Sequence, residues 1–511
     1  MLNSHNFSVN LPAQSYRSIL KFREKKSMKT LKILLCLAII PLVLFGCGEA
    51  DTPAETTAAA ETVAIESNGA LSGYTYQNKI INGIADPFIL EYRGTYYLYS
   101  TGGSAFYVQT SKDLVTWTKQ SEPILRLADT SWADKNGWAP EMYEYDGKFY
   151  FIFSAMNKEG IHSIDIAVCD TPNGKFKPLF KQPFYSPDYS VIDASLFFDD
   201  GRVYMYYSKD NSTNYVDGKR TSQTWGIELE KDLSGTIGEP VLISTPYQSW
   251  ELKSGSVLWN EGPVVFKENG VYYLLYSANY YAYGDYSVGY ATSDTPLSYF
   301  TKPDDACILT RVGDTVTGPG HCNILRSPDG TEMYMVYHVH TVAPNVDGGR
   351  SLAIDRIVFN EDGSLSVDGP STLRRPLPSG VGGYYHVKEG FTAGDTDVSC
   401  LFDGICESTD DICLMQNGSS LEFTFDTPQK LSELMIYSAP ADFYAPATVS
   451  VEINGKYVIS DCTSPVYGGR LSVASLENLP ADTLVETLKI TVTTADGNDY
   501  VALSEVVMIG K

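Results

Sequence analysis

The chain has 511 residues and a formal net charge of −24, and it contains 36 Tyr, 21 Phe, 42 Gly and 26 Pro. This length exceeds what one hydrophobic core usually supports, so it predicts two domains behind a leader segment. The abundance of aromatic residues, glycine and proline predicts an all-β protein built from many short strands. Because a net negative chain has no basic stripe with which to neutralise phosphates, the composition argues against a nucleic-acid partner.

The N-terminal region is predicted to be a targeting segment rather than part of the fold. A basic run precedes an apolar stretch, residues 31–45, that is short for a membrane span and is followed by a Gly-Cys pair ending at Cys47. This ending resembles the lipobox of bacterial lipoprotein signal peptides. The resemblance implies that residues 1–47 contain the signal, that Cys47 is lipidated, and that the protein is exported and anchored to the cell membrane or to an outer membrane. Residues 48–72, rich in Ala, Thr and Glu, are expected to form a low-complexity tether.

Residues 80–372 repeat one pattern five times, namely an alternating apolar strand, a turn and an aromatic strand that ends in Ser or His. The five hairpins are "DPFILEYRGTYYLYS", "APEMYEYDGKFYFIFS", "DASLFFDDGRVYMYYS", "EGPVVFKENGVYYLLYS" and "HCNILRSPDGTEMYMVYH". Their turns contain Gly94, Gly147, Gly201, Gly270 and Gly330, and glycine tolerates the positive φ of a tight hairpin. A second strand pair follows each hairpin. Four strands in roughly 50 to 70 residues predict a propeller blade, and five repeats predict a five-bladed β-propeller over residues 73–380.

Several acidic residues are expected to converge in this propeller. The first strand of each blade lines the central channel, so the residues that begin these strands meet at one mouth. Counting back eight residues from the turn glycines gives Asp86 and Asp193, and counting back nine gives Glu261 and His321. We therefore expect three acids and a histidine at equivalent positions. One acid alone could cap its own strand, but three acids in a partly desolvated funnel repel one another and indicate a function.

Three convergent acids fit the chemistry of glycoside hydrolysis. One carboxylic acid protonates the leaving oxygen, and one carboxylate acts on the other face of the sugar. A third acid can keep the pKa of the proton donor high enough for it to be protonated near neutral pH. When water attacks, the two groups stand about 6.5 to 9.5 Å apart. Positions on the first and fourth of five blades are well separated, which favours inversion over retention.

The segments "ADPFIL", "WAPEM", "VIDASLFF", "NEGPVVF" and "GPGHCNIL" occur in this order and resemble the blade-opening motifs of glycoside hydrolase family 43. The resemblance covers essentially all of residues 80–372. It implies that Asp86 is the general base, Asp193 the modulator of pKa and Glu261 the general acid, with no cofactor required. It also implies an enzyme that releases terminal α-L-arabinofuranosyl or β-D-xylosyl residues from arabinan, arabinoxylan or xylan. An endo-arabinanase of the same family and a non-catalytic glycan-binding surface lipoprotein are the alternatives.

Three further residues are candidates for the site. His321 resembles a family histidine near the channel axis that in some members ligates Ca²⁺, although a hydrogen-bonded core histidine is the alternative. Arg350, in "GGRSLAIDRIVF", resembles a family arginine that contacts the sugar in the deepest subsite, and a salt bridge to one of the acids is its alternative. Trp138, in "GWAPEM", could stack on a sugar face or simply pack in the fold.

The pattern changes after a Gly- and Pro-rich stretch. Residues 395–511 contain alternating strands without the blade repeat, which predicts a β-sandwich of the jelly-roll type. "LFDG" near its start and "LSEVVMIG" at its end resemble discoidin-like domains of the coagulation factor 5/8 type C group. The resemblance implies either carbohydrate binding or a structural accessory role, and we favour the latter. In an exported protein Cys400, Cys406, Cys413 and Cys462 could pair, with three connectivities open.

Overall fold

The computed structural model describes residues 62–65, 73–409, 411–439, 445–494 and 498–511. These residues form strands and six short 3₁₀ helices, which confirms the all-β class. The helices are Leu127–Asp129, Ser249–Leu252, Val346–Gly348, Val381–Gly383, Ser399–Leu401 and Pro465–Tyr467. Within the described ranges, no helix has the length and apolar character needed to cross a membrane. The predicted leader, Cys47 and most of the tether lie outside the described residues.

The five repeats form five four-stranded antiparallel sheets, numbered here in chain order. Sheet 1 contains Phe88–Tyr92, Thr95–Tyr99, Val108–Ser111 and Thr118–Lys119. Sheet 2 contains Ala133–Tyr145, Lys148–Asn157, His162–Cys169 and Lys177–Pro178. Sheet 3 contains Val191–Asp199, Arg202–Lys209, Gln223–Leu229 and Thr236–Ser244. Sheet 4 contains Asn260–Glu268, Val271–Ala278, Ser287–Ser293 and Cys307–Leu309, and sheet 5 contains Gly320–Arg326, Met333–His340, Arg350–Phe359 and Leu365–Val367.

Shorter strands connect these sheets. Ala105–Phe106 pairs with Leu125–Arg126, and Lys219–Thr221 pairs with both Tyr215–Val216 and Val257–Leu258. Thr75–Tyr76 pairs with Arg375–Pro376. The last pair joins the chain just before sheet 1 to the chain just after sheet 5, so the two ends of the repeat region are held together.

The first strand of each sheet, called its inner strand, contacts the inner strands of two other sheets. The contacts run from sheet 1 to 2, 2 to 3, 3 to 4, 4 to 5 and 5 to 1. Apolar clusters fill the spaces between neighbouring sheets, and each cluster draws on two of them. Tyr99 and Phe151, for example, meet between sheets 1 and 2. The alternating aromatic residues of the repeats therefore form the inter-sheet core, where each buried large side chain contributes about 1.5 to 3 kcal/mol.

The C-terminal region forms two further sheets. The first has the strand order Val63–Ala64, Tyr457–Ile459, Pro446–Ile453, Val485–Thr494, Ser420–Gln429 and Phe391–Thr392. The second has the order Tyr385–Val387, Tyr500–Gly510, Leu431–Ser438 and Leu471–Ser475, and Cys413–Gln416 also pairs with Tyr500–Gly510. One apolar cluster contains residues of both sheets, such as Val451 and Ile490 from the first and Ile436 and Val506 from the second. The two sheets therefore share one core.

The seven cysteines of the described residues are all free thiols. Consequently none of the three possible disulfide connectivities among Cys400, Cys406, Cys413 and Cys462 is present in this structure. Cys406, Cys413 and Cys462 are buried and lie in apolar clusters of the C-terminal region.

Candidate active site

Each inner strand contains a residue of positive φ or, in sheet 1, follows one that lies two residues before the strand. These residues are Asp86 (52°), Ala139 (43°), Asp193 (58°), Gly262 (56°) and His321 (49°). In sheets 2 to 5 the pairing register shifts at the same point, so the strand bulges there. A bulge redirects its side chain away from the regular ladder. Positive φ at a residue other than glycine costs on the order of 1 to 3 kcal/mol, and such strain concentrates at functional sites.

The five positive-φ residues are structurally equivalent, and this corrects one sequence prediction. Gly262, not Glu261, occupies the position that corresponds to Asp86 and Asp193. Glu261 is the preceding residue, so the expectation of three acids at equivalent positions is wrong. The close approach of His321 explains the glycine, because a Cβ atom on Gly262 would lie 3.1 Å from His321 Nδ1. The general count of eight residues back from the turn glycine holds for sheets 1 to 4, whereas sheet 5 needs nine.

The backbone N–H of each positive-φ residue has a partner in or just after a strand of the sheet before it. The N–H of Ala139 donates to Thr101 Oγ1 at 2.9 Å, and that of Asp193 donates to Ser154 Oγ at 2.9 Å. The N–H of His321 donates to Ser277 Oγ at 2.8 Å, and that of Asp86 donates to His338 Nδ1 at 3.3 Å. Ser154, Ser277 and His338 are the residues that end the aromatic tails of the repeats. In sheets 2, 4 and 5 the Ser or His that ends the aromatic tail therefore accepts from the N–H group of the next positive-φ residue, and after sheet 1 Thr101 does so. Gly262 differs, because its N–H donates to Asp193 Oδ2 at 3.2 Å.

Asp86 is surrounded by groups that stabilise its ionised form. Its Oδ1 atom lies 2.6 Å from Arg350 Nη1, and its Oδ2 atom accepts a hydrogen bond from the Thr101 hydroxyl. Burial alone would raise the pKa of Asp86, but Arg350, the His321 and His338 imidazoles and the Thr101 hydroxyl together lower it well below its usual range. The Asp86 side chain keeps 11% of its surface exposed. It is thus a carboxylate that solvent can reach.

Asp193 and Glu261 experience the opposite environment. Burial raises the pKa of Asp193 to about 6, with His321 opposing the shift and Asp86 adding to it. Burial and then repulsion by Asp193 raise the pKa of Glu261 well above its usual value. Tyr286 donates a hydrogen bond to Glu261 Oε1 at 2.9 Å. The surroundings therefore favour the protonated form of Glu261 and the ionised form of Asp86, which is the pairing that acid–base catalysis requires.

His321 lies at the centre of this group. Its Nδ1 atom is 3.6 Å from Asp86 Oδ1, and its ring stacks on that of His338 with the centroids 6.4 Å apart. The donor set around it does not fit a calcium ion, which prefers six to eight oxygen ligands, because Asp86 is already held by the Arg350 cation. The described residues contain no group of three or more His, Cys, Asp or Glu that could hold a metal ion. Calcium near His321 stays a prediction, and no chemical step below uses it.

The two other candidates each have a defined contact. Arg350 forms the salt bridge to Asp86, and its guanidinium also lies 4.8 Å from the ring centroid of Tyr281. The half-buried Trp138 directly precedes the bulge residue of sheet 2, and its ring stacks on His162 at 4.5 Å.

Comparison with known families agrees with this geometry. A model of "Glycosyl hydrolases family 43" matches residues 76–365, which is more than half of the chain. The chain belongs to glycosyl hydrolase family 43. It is therefore a glycosidase. The matched region starts ten residues before Asp86 and contains sheets 1 to 4 and the first three strands of sheet 5, so the acids described above lie within the family domain.

Individual family 43 proteins are similar over the same region. The crystal structure of a thermostable family-43 glycoside hydrolase is 40% identical, with a TM-score of 0.57, covering 60% of this chain and 99% of that one. A β-D-galactofuranosidase of Aspergillus niger is 29% identical over 304 residues, which is 55% of this chain and 81% of the relative. An extracellular exo-α-(1→5)-L-arabinofuranosidase of Streptomyces avermitilis is 25% identical over 370 residues, 66% of this chain and 70% of the relative.

The sequence analysis of this family 43 chain missed several residues of the site. His338 replaces the serine that ends the other aromatic tails, and this exception was a usable signal. Glu141 belongs to the quoted segment "WAPEM", yet only its tryptophan was singled out. Glu141 is buried, accepts a hydrogen bond from Asn323 Nδ2 of sheet 5 at 3.0 Å and another from the Tyr143 hydroxyl, and burial raises its pKa to about 8. Tyr286 had no sequence signal, since it is one of 36 tyrosines.

Proposed function

We propose that the protein is an inverting glycosidase that releases terminal α-L-arabinofuranosyl or β-D-xylosyl residues from plant cell-wall polysaccharides. The single observation that carries the proposal is the opposite environment of two acids in one site. Arg350 and Thr101 stabilise the Asp86 carboxylate, whereas burial and Asp193 stabilise the protonated form of Glu261. The substrate preference is supported by the exo-arabinofuranosidase named above and by a relative named β-xylosidase.

In the proposed mechanism, Asp86 removes a proton from a water molecule as its oxygen attacks the anomeric carbon of the terminal sugar. Glu261 donates its proton to the glycosidic oxygen as the bond from that oxygen to the anomeric carbon breaks. The products are a free sugar of inverted configuration and a shortened glycan with a new hydroxyl group. Asp86 then holds a proton and Glu261 a negative charge, so one proton moves through solvent to restore the starting state.

Asp193 has a separate role in this proposal. Its carboxyl group accepts the N–H of Gly262, the residue next to Glu261, and it repels Glu261 more strongly than Asp86 does. Asp193 therefore raises the pKa of Glu261 without contacting the reacting atoms. Arg350 Nη1 and His321 Nδ1 lie 2.6 and 3.6 Å from Asp86 Oδ1, and we assign the two residues to holding Asp86 and the terminal sugar.

We also propose a five-bladed β-propeller over residues 73–380 and a discoidin-like β-sandwich with an accessory role. The sequence predicts the sandwich over residues 395–511, and its sheets also include Tyr385–Val387, Phe391–Thr392 and Val63–Ala64. The closed cycle of inner-strand contacts and the hydrogen bond from Asp86 of sheet 1 to His338 of sheet 5 support the propeller. The apolar core shared by the two C-terminal sheets supports the sandwich.

Export and lipid anchoring through Cys47 are part of the proposal as well. They are supported by the signal-like sequence before Cys47 and by the relatives whose names include "extracellular". Cys47→Ala expressed in a bacterial host should release the protein from the membrane fraction. If the variant and the wild type are retained equally in the membrane fraction, the proposed lipid anchor at Cys47 is wrong.

The test of the function is turnover of a panel of aryl glycosides and of arabinan, arabinoxylan and xylan, with proton NMR of the first product formed. We expect cleavage of arabinofuranosides or xylosides, release of single sugars and a first product of inverted anomeric configuration. Release of internal oligosaccharides would favour the endo-arabinanase. Inactivity across the whole panel would favour a glycan-binding surface protein, and a retained anomer would contradict the role of Asp86.

A further inference from the structure

A cluster of four aromatic side chains lies beside Glu261. We call Trp259, Tyr280, Tyr281 and Tyr283 the aromatic platform. Tyr280 is its centre, with ring centroids 5.2 Å from Trp259, 4.9 Å from Tyr281 and 5.2 Å from Tyr283. Tyr283 is 56% exposed and Tyr281 is 37% exposed. The platform thus presents aromatic surface to solvent at the point where inner strand Asn260–Glu268 begins.

Packing does not explain this cluster. The tyrosines of the neighbouring strand Val271–Ala278 belong to the apolar clusters between sheets, but none of the four platform residues belongs to any apolar cluster of the described residues. Exposed aromatic residues that are grouped, rather than scattered, mark a binding surface. Rings of tyrosine and tryptophan offer an apolar face and a polar edge, which suits the alternating C–H and O–H groups of a sugar.

The aromatic platform is fixed to both catalytic acids. Trp259 is two residues before Glu261, and the loop that carries the three tyrosines leads directly to Tyr286, which donates to Glu261 Oε1 at 2.9 Å. On the other side, the Tyr281 ring packs against the Arg350 guanidinium at 4.8 Å, and Arg350 holds Asp86. The carbonyl oxygen of Tyr281 also interacts with His340 Nε2 at 2.8 Å. The rings are therefore held in place relative to the site of bond cleavage.

We propose that the aromatic platform binds the sugar on the leaving-group side of the scissile bond. This inference rests on the proposed function, because a general acid must contact the leaving oxygen, so the leaving sugar lies on the side of Glu261. Trp259 precedes that acid by two residues and packs on Tyr280, and Tyr283 is the most exposed ring of the platform. The occupant is an uncharged sugar of the glycan chain. The chain that remains after cleavage is therefore recognised by stacking, and its binding energy helps to reach the transition state.

The test compares two substrates that carry the same terminal sugar and differ in the leaving group. Arabinotriose has a sugar as the leaving group, and α-L-arabinofuranosyl fluoride has a single atom; xylotriose and β-D-xylosyl fluoride are the equivalent pair for a xylosidase. For Tyr283→Ala and Trp259→Ala we expect kcat/KM for the trisaccharide to fall about tenfold more than kcat/KM for the fluoride. Tyr283→Phe should retain the ratio of the wild type, since the ring is kept.

Tyr500→Ala is the control, because Tyr500 is an exposed tyrosine of the C-terminal region. It should leave both rates unchanged. If Tyr283→Ala and Trp259→Ala lower kcat/KM equally for both substrates, or for neither, the proposal that the platform binds the leaving sugar is wrong. The assignment of the protein as a glycosidase would still stand. A wild-type protein that hydrolyses neither pair would instead overturn the proposed function. The two failures are therefore distinguishable.

Discussion

Buried acids occur in two regions of the molecule, and the comparison separates chemistry from architecture. In the site, the Arg350 cation and its neighbours lower the pKa of Asp86, whereas burial raises the pKa of Glu261. At the junction between sheet 5 and the C-terminal sheets, Glu332 and Glu505 show the same contrast. Burial of Glu332 is outweighed by His386, Arg356 and Lys388, which lower its pKa, while burial and repulsion by Asp403 raise the pKa of Glu505 well above its usual value.

A shifted pKa therefore does not identify an active site in this protein. The difference lies in access and in backbone strain. The Glu332 side chain is fully buried and Glu505 is 4% exposed, whereas Asp86, His321 and Arg350 keep 11 to 16% of their side chains exposed. The site also has the positive-φ bulges, which are strained at Asp86, Asp193 and His321. Opposite pKa shifts in a place that a substrate can reach are what indicate catalysis.

The largest expected effect is at Glu261. Glu261→Gln should lower kcat/KM for an oligosaccharide by about 10³-fold, because the leaving oxygen is no longer protonated. The loss should be much smaller for an aryl glycoside with an acidic phenol, which leaves without a proton. Glu505→Gln is the matched control, since it removes another buried acid of raised pKa, and the folded variant should keep its kcat. A comparable loss of kcat/KM in both variants would show that Glu261 has no catalytic role that the junction acid lacks.

The next largest effect concerns stability at the junction. The buried Arg375 guanidinium lies 3.0 Å from Asp368 and 2.8 Å from Glu407. Arg375→Ala leaves both carboxylates without this cation and should lower the free energy of unfolding by about 3 kcal/mol. Arg202→Ala removes an exposed pair with Glu228 and should cost less than about 1 kcal/mol. Urea unfolding measures both, and equal losses would show that burial of the pair does not matter.

Arg350 and Arg356 provide a third comparison, because each faces one acid of lowered pKa. Removal of the guanidinium in Arg350→Ala should raise the pKa of Asp86, so the acidic limb of the kcat/KM profile moves to higher pH. Below the new pKa, activity falls about tenfold for each unit of the shift. Arg356→Ala acts on Glu332 and should destabilise the protein without moving the limb. An unmoved limb in Arg350→Ala would contradict the assignment of Asp86 as the base.

Glu141 should change only how stability depends on pH. Its pKa is raised to about 8 in the folded state, mainly by burial, so folding takes up a proton between about pH 4.5 and 8. Stability contributed by this group is present at low pH and is lost as pH rises, by up to about 1.4 kcal/mol per pH unit. Glu141→Gln should therefore make the decline of the unfolding free energy between pH 5 and 7 shallower. An unchanged slope would mean that Glu141 does not carry this proton.

The sequence predicted the parts of the site that depend on repetition. Five hairpins of one pattern indicated the sheets, and the residues before them led to Asp86, Asp193 and Glu261. A uniform count of eight residues back from the turn glycine gives Gly262, but the count of nine was used in sheet 4 because it reaches the acid Glu261. The reason for the glycine is the approach of His321 from a distant part of the chain, which has no sequence pattern. Thr101, Tyr286 and Glu141 were missed for a related reason. Their partners lie across the site, and ordinary polar or aromatic residues carry no pattern of their own.

The most direct test of the account is the protonation state of Glu261 itself. Carbon-13 NMR of protein labelled at the glutamate side-chain carboxyl, compared with Glu261→Gln, isolates its signal, and aspartate labelling with Asp86→Asn isolates that of Asp86. We predict that Glu261 titrates well above the usual range of a glutamate carboxyl group and that Asp86 titrates well below the usual range of an aspartate. An ionised Glu261 beside a protonated Asp86 would contradict the proposed division of roles between the two acids.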